Sequence, residues 1–182
     1  MNKLLFIAFV FLSWNTEAQR YMTKTGSIVF NAAGAIEKIE GKNQSVACVL
    51  DASTGTLNML VQVKSFVFEK QLMQEHFNEN YMESDQFPKA SFKGEVSNKA
   101  NINFSKDGDY PAEVKGKLTI HGVTKDITAK GKIQIRNGNP TLQSNFTVLM
   151  SDYNINIPGA VKDKISKDAR ITVDCSLTPF KS

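Results

Sequence analysis

Histidine and cysteine are scarce in this chain: two of each among 182 residues. His76 and His121 would have to serve any triad or metal site, and neither has the company that chemistry needs. His76 has Glu79 three residues on, which is half of a zinc pattern, but the second histidine is missing. No Gly-x-Ser-x-Gly elbow is present to give a histidine its nucleophile. Cys48 and Cys175 stand too far apart in sequence for a metal-ligand spacing. The formal net charge is a modest +4, and the lysines are scattered among Asp and Glu. No basic block is interleaved with aromatics, so the chain lacks a nucleic-acid footprint. No cofactor, no metal and no catalytic residue is implied.

Long apolar runs are also missing, apart from one. Leu4 to Leu12 (LLFIAFVFL) follows the positive Lys3 and gives way to a polar stretch ending in Thr16-Glu17-Ala18. Small residues stand where a signal peptidase reads, so residues 1–18 are expected to be a cleaved secretory leader, with 19–182 as one exported domain. A membrane anchor is the alternative, but the run is short for a permanent span.

What the chain has in quantity is period-two alternation, the signature of half-buried strands. Ile28 and Phe30 share a face, and a mixed stretch, Ala35 to Asn43, follows with room for a helical turn. Val46, Cys48 and Leu50 alternate next, then Leu57, Met59, Val61 and Val63. Phe66 and Phe68 break that parity, and a bulge near Lys64-Ser65 would restore it. The single helix candidate is Gln71 to Glu83, with Met73, Phe77 and Tyr81 in a stripe and Glu75, Glu79 and Glu83 on another face. Pro88 ends it. Strands resume at Ala90–Val96, Glu113–Ile120, Ile127–Ile135, Leu142–Met150 and Ile171–Leu177. Asp107-Gly108-Asp109, His121 to Lys125 and Asn137-Gly138 mark turns, the last being the strongest hairpin signal.

About eight such strands and one helix describe an all-β domain. A lipocalin-like antiparallel β-barrel turns every apolar face inward and removes open edges. A sandwich satisfies the alternation too, but the lone helix is well placed to cap a barrel. An eight-strand barrel is either filled by side chains or holds one small ligand. Inward Gly94, Gly116, Gly131, Ala90, Ala129 and Ser144 opposite Phe and Met leave both outcomes open.

Specific words then narrow the choice. Leu118 to Lys125 (LTIHGVTK), Met73-Gln74-Glu75-His76-Phe77 with Tyr81, Phe87-Pro88-Lys89-Ala90-Ser91-Phe92-Lys93-Gly94, Ser151-Asp152-Tyr153 and the closing strand from Ala169 to Leu177 resemble, in that order, the YceI-like polyisoprenoid-binding family. The Asp-x-x-His-Ser element that many members carry near their start is absent. The resemblance implies a lipocalin-like barrel with an apolar cavity, a periplasmic location and a long isoprenoid or related lipid as ligand, with no established catalytic residue.

The leading expectation is therefore a non-enzymatic lipid-binding barrel taking a polyprenyl chain or quinone tail, for carriage or sequestration. A scaffold or adaptor with a filled interior is the alternative, and an enzyme on the same barrel would need a convergent polar cluster for which the sequence gives no sign. A homodimer is compatible with the pattern. The expected ligand wall is Phe30, Met59, Val61, Val63, Phe66, Phe68, Met73, Phe77, Phe92, Leu118, Ile120, Phe146 and Val148. His121 is expected to fix its turn through a hydrogen bond, and His76 to be solvated or at the cap. Cys48 and Cys175 should face inward without a bridge. The first strand lies between theirs, and two strand spacings, roughly 9.5 Å, exceed disulfide reach.

Overall fold

The computed structural model describes residues 19–34, 38–161 and 163–180. The expected leader and residues 35–37 of the mixed stretch lie outside them. The strands are β1 (Arg20–Ala33), β2 (Glu40–Asp51), β3 (Thr56–Gln62), β4 (Val67–Phe68), β5 (Lys89–Val96), β6 (Gly108–Ile120), β7 (Val123–Arg136), β8 (Asn139–Leu149), β9 (Ile165–Ser176) and β10 (Thr178–Pro179). Every pairing is antiparallel. The order β1-β9-β8-β7-β6-β5-β3-β2, with β2 paired back onto β1, closes an eight-strand barrel. β10 and β4 are short additions at the starts of β1 and β2.

Several strands run longer than the alternation alone marks. β6 begins at Gly108, inside the expected Asp107–Asp109 turn, because Gly108 already pairs with Ile135. The hairpins fall where the turn chemistry puts them. Asn137 (φ 51°) and Gly138 (φ 75°) form one two-residue loop, and His121 (φ 50°) and Gly122 (φ 72°) another. Two successive positive φ values give a turn whose twist matches the strands it joins. Gly122 has a second reason to be bare: a Cβ there would lie 2.6 Å from the Phe87 ring.

One end of the barrel is sealed by packing. Tyr21, Leu50, Ile135 and Leu177 are each 1% exposed or less, and Ile102 and Phe104 are brought over them by the crossing between β5 and β6. Phe104 stacks on Tyr21 with centroids 6.4 Å apart. The same end carries an acid-sensitive turn after β2. The Asp51 carboxylate accepts the Ser53 hydroxyl (2.5 Å), the Ser53 and Thr54 amides (2.9 and 3.1 Å) and Arg20 Nε (3.3 Å). These donors, led by the Ser53 hydroxyl, hold its carboxyl down to about 2. A depressed folded value means that the stabilisation is complete above the unfolded value, about 4, and is lost as pH falls toward 2. Asp51→Asn should therefore cost about 1 kcal/mol near neutrality, with the gap from wild type closing by pH 2; urea melts across that window check it.

Cys48 and Cys175 are buried and free. The intervening β1 does separate their strands, yet it does not screen the thiols. Gly26 lies between them, and a Cβ there would sit 2.5 Å from Cys175 Sγ. Over this bare backbone Cys48 shares a hydrogen bond with Cys175, which with burial pushes the Cys48 thiol far above its ordinary range. Both thiols are 0% exposed, and burial keeps a reagent from reaching either. Neither cysteine should take up iodoacetamide in the folded protein within hours, and both should do so in urea; mass spectrometry of the two reactions checks this.

The opposite end is covered by helix. The β3 strand runs into a 3-10 turn, Val63–Ser65, in place of the expected bulge. The parity is restored all the same, since Phe66 and Phe68 are both buried. The helix α1 spans Gln71–His76 and passes into a π turn, Phe77–Tyr81, where the Met82 amide donates to the Phe77 carbonyl at 2.9 Å. Phe77 anchors this cap, with ring centroids 4.9 Å from Phe68, 5.4 Å from Phe66 and 5.7 Å from Phe30. No helix among the described residues is long and apolar enough to cross a membrane.

Candidate functional site

The lumen between the packed end and the cap holds a cavity of about 520 Å³, within the range of small-molecule sites. Alternation supplies its wall. On β3, Leu57, Met59 and Val61 face in; on β6, Val114, Leu118 and Ile120; on β8, Phe146 and Val148; on β9, Ile171 and Val173. Phe30 comes from β1 and Phe92 from β5, while Val63, Phe66 and Phe68 follow from the β3–β4 passage. Met73 and Phe77 close over the top. All thirteen residues expected from the sequence as ligand wall thus stand around one cavity.

Its chemistry is one-sided. Among the described residues no Asp or Glu lines it, whereas Lys70, His76, Lys132 and Lys164 do. Ser91, Ser144, Gln143, Tyr81 and Tyr153 supply the remaining polar groups. Sequence reasoning missed the three lysines, His76 and Met82 as wall residues. Lys132 stands on the outward parity of β7, Lys70 and Lys164 lie outside the alternating strands, and Met82 is turned inward by the π turn, which a 3.6-residue stripe does not anticipate.

The glycines behave differently from the expectation that small residues make room. Gly94 pairs with Gly116, and a Cβ on either would lie within 3 Å of the Phe92 ring. Their missing side chains are thus occupied by Phe92, which brings this ring onto the wall. All three glycines also permit close backbone approach, since a Cβ would meet the Lys115 carbonyl at 2.2 Å from Gly94, the Lys93 carbonyl at 2.4 Å from Gly116 and the Gln143 carbonyl at 2.2 Å from Gly131.

His121 lies off the cavity wall. Its Nδ1 donates to the Tyr153 carbonyl at 3.1 Å, and its Nε2 is 3.2 Å from the Glu83 carboxylate. Phe87 packs edge-on against the ring at 4.6 Å. The histidine thereby ties the β6–β7 turn to the end of the helical cap and to the 3-10 turn Met150–Tyr153 that follows β8. Glu83, expected on a wet helix face, has instead left the helix at φ 43°. His76 is exposed and borders the cavity beside Leu72 and Met73. Among the described residues, no three His, Cys, Asp or Glu side chains gather where they could hold a metal ion.

Residues 17–177 match the model of the YceI-like domain. The chain belongs to the YceI-like domain family. Solved structures share the YceI-like fold at low identity. A polyisoprenoid binding domain from Saccharophagus degradans, implicated in plant cell wall breakdown, superposes with a TM-score of 0.74 at 12% identity, covering 90% of this chain and 100% of that one. BcnA of Burkholderia cenocepacia gives 0.67 at 17% identity, over 84% and 96%. The YceI protein of Campylobacter jejuni gives 0.55 at 17% identity, over 81% and 88%. No curated protein sequence matches the chain.

Proposed function

We propose that this YceI-like domain is exported to the periplasm and there binds an elongated apolar lipid, a polyprenyl chain or quinone tail, for carriage or sequestration without chemical conversion. The observation that carries the reading is the continuous apolar cavity running from Leu57 and Val173 to the Phe77 cap, with no carboxylate on its wall among the described residues. A scaffold with a filled interior would have no use for such a space. The similarity to a domain described as polyisoprenoid binding agrees with the chemistry of the wall. Methionines at Met59, Met73, Met82 and Met150 suit a ligand without fixed polar handles, because their side chains re-pack around irregular apolar shapes.

Burial would supply the affinity. At about 0.8 kcal/mol per buried CH₂, each five-carbon unit seated in the lumen adds up to about 4 kcal/mol. The test is displacement of a fluorescent apolar probe by polyprenols of increasing length and by a long-tailed quinone. Affinity should climb with each added isoprene unit and level off once the lumen is full. If no polyprenol or quinone displaces the probe or raises the melting temperature, the reading is wrong.

A further inference from the structure

The barrel is not paired along the whole of its circumference. β7 and β8 are joined from Arg136–Asn139 to Gly131–Ser144, and there the ladder stops. Residues 123–130 of β7 keep their partners on β6, and residues 145–149 of β8 keep theirs on β9, but the two stretches do not pair with each other. At the branch point the Ser144 hydroxyl donates to the Lys130 carbonyl at 2.8 Å, in the place of the next ladder bond. At the far end, the His121–Tyr153 hydrogen bond ties the β6–β7 turn to the segment after β8. The result is a seam bounded at both ends by hydrogen bonds.

The seam is where inside meets outside. Gly131, Lys132, Gln143, Ser144 and Val173 line the lumen and also a groove on the outer surface at the foot of the seam. Gly131–Ser144 and Lys132–Gln143 are the last joined pairs, and beyond them Ile127, Phe146 and Val148, which line the lumen, are only half-buried, so the lumen comes to the surface along the unpaired stretch. The groove adds Lys130, Asn145, Thr172 and Asp174. Its one carboxylate, Asp174, accepts the Gln143 amide at 2.6 Å, and Thr172 donates to Asn145 at 2.7 Å. Lys130 and Lys132 are both exposed and two apart on one strand face; across β6 they face Glu113 and Asp109, which already hold Lys115 and Arg136, so the pair leaves positive charge at the edge of an apolar cavity.

We infer that the β7–β8 seam is a side opening through which an amphiphile lies, its apolar tail in the lumen and an anionic head, a phosphate or diphosphate, in the outer groove against Lys130 and Lys132. This rests on the lipid-binding reading above and goes further, since it assigns the head group a class and a place. An ammonium–phosphate contact is charge-assisted, and a side opening admits a long chain without removing the Phe77-anchored cap.

The test compares a long-chain polyprenyl phosphate with the uncharged polyprenol of the same length, on wild type, on the Lys130→Ala/Lys132→Ala double variant and on Lys70→Ala/Lys164→Ala. All four lysines are surface residues, so the variants should fold, with melting temperature as the check. The expected result for the Lys130/Lys132 variant is a loss in phosphate affinity at least tenfold greater than its change in polyprenol affinity, with the wild-type phosphate affinity itself weakened by high salt. Equal affinity of that variant and wild type for the phosphate, or a loss confined to the Lys70/Lys164 variant, would place the head elsewhere and overturn the inference while leaving lipid binding intact. Failure of wild type to bind either lipid would overturn the binding reading itself.

Discussion

Ala129→Phe is expected to cut the affinity for a long polyprenol close to a thousandfold while leaving the barrel folded. Ala129 is 4% exposed and faces the cavity from β7. A ring at this position projects into open lumen, so it meets less of the overpacking that costs 1–3 kcal/mol in a filled core, by order of magnitude. It also takes the place of one isoprene unit. Five carbons returned to water forfeit about 4 kcal/mol at ~0.8 kcal/mol each, and every 1.4 kcal/mol is about tenfold in affinity. Probe displacement measures the binding, and a thermal melt within a few degrees of wild type shows that the fold is kept. Undiminished affinity would mean that the lumen is not where the lipid sits.

The second large effect belongs to the cap. Phe77→Ala removes the ring that holds Phe30, Phe66 and Phe68 together. Truncating a buried phenylalanine costs about 3–5 kcal/mol, which for a domain of this size lowers the melting temperature by roughly 10 °C. The loss should fall unevenly. α1 is six residues long and buries no side chain of its own, so without Phe77 little fastens it to the barrel. Hydrogen exchange should show protection lost from residues 71–82 and kept in β6 and β7, and a bound lipid should leave faster. Uniform loss across the strands would mean that the cap is part of the barrel's cooperative core and not a separable cover.

The barrel and its wall were legible because one physical rule governs both. Alternation that buries Val46, Cys48 and Leu50 also aims Leu57, Met59 and Val61 at a common interior, and the turns at Asn137-Gly138 and His121-Gly122 fix the register of the long hairpins. Even the parity break before Phe66 and Phe68 could be read as a local irregularity, although the Val63–Ser65 turn does the work assigned to a bulge. Relations between segments distant in sequence were not legible. Gly26 as the gap across which Cys48 and Cys175 meet depends on three strands at once. The reach of Gly94 and Gly116 is decided by where the Phe92 ring falls. The β7–β8 seam leaves no mark in the alternation of either strand, because each is still paired on its other side. Lys70, Lys132 and Lys164 look like ordinary surface lysines in the sequence, and their position beside the cavity is a property of the closed barrel.

The central claim is that the lumen holds a lipid, and native mass spectrometry of the protein purified from its own source without detergent tests it most directly. The expected spectrum shows a stoichiometric adduct that organic extraction releases as an isoprenoid-type lipid. A protein that is empty as isolated, and still empty after incubation with polyprenols, polyprenyl phosphates and long-tailed quinones, would contradict the account and put a scaffold function in its place.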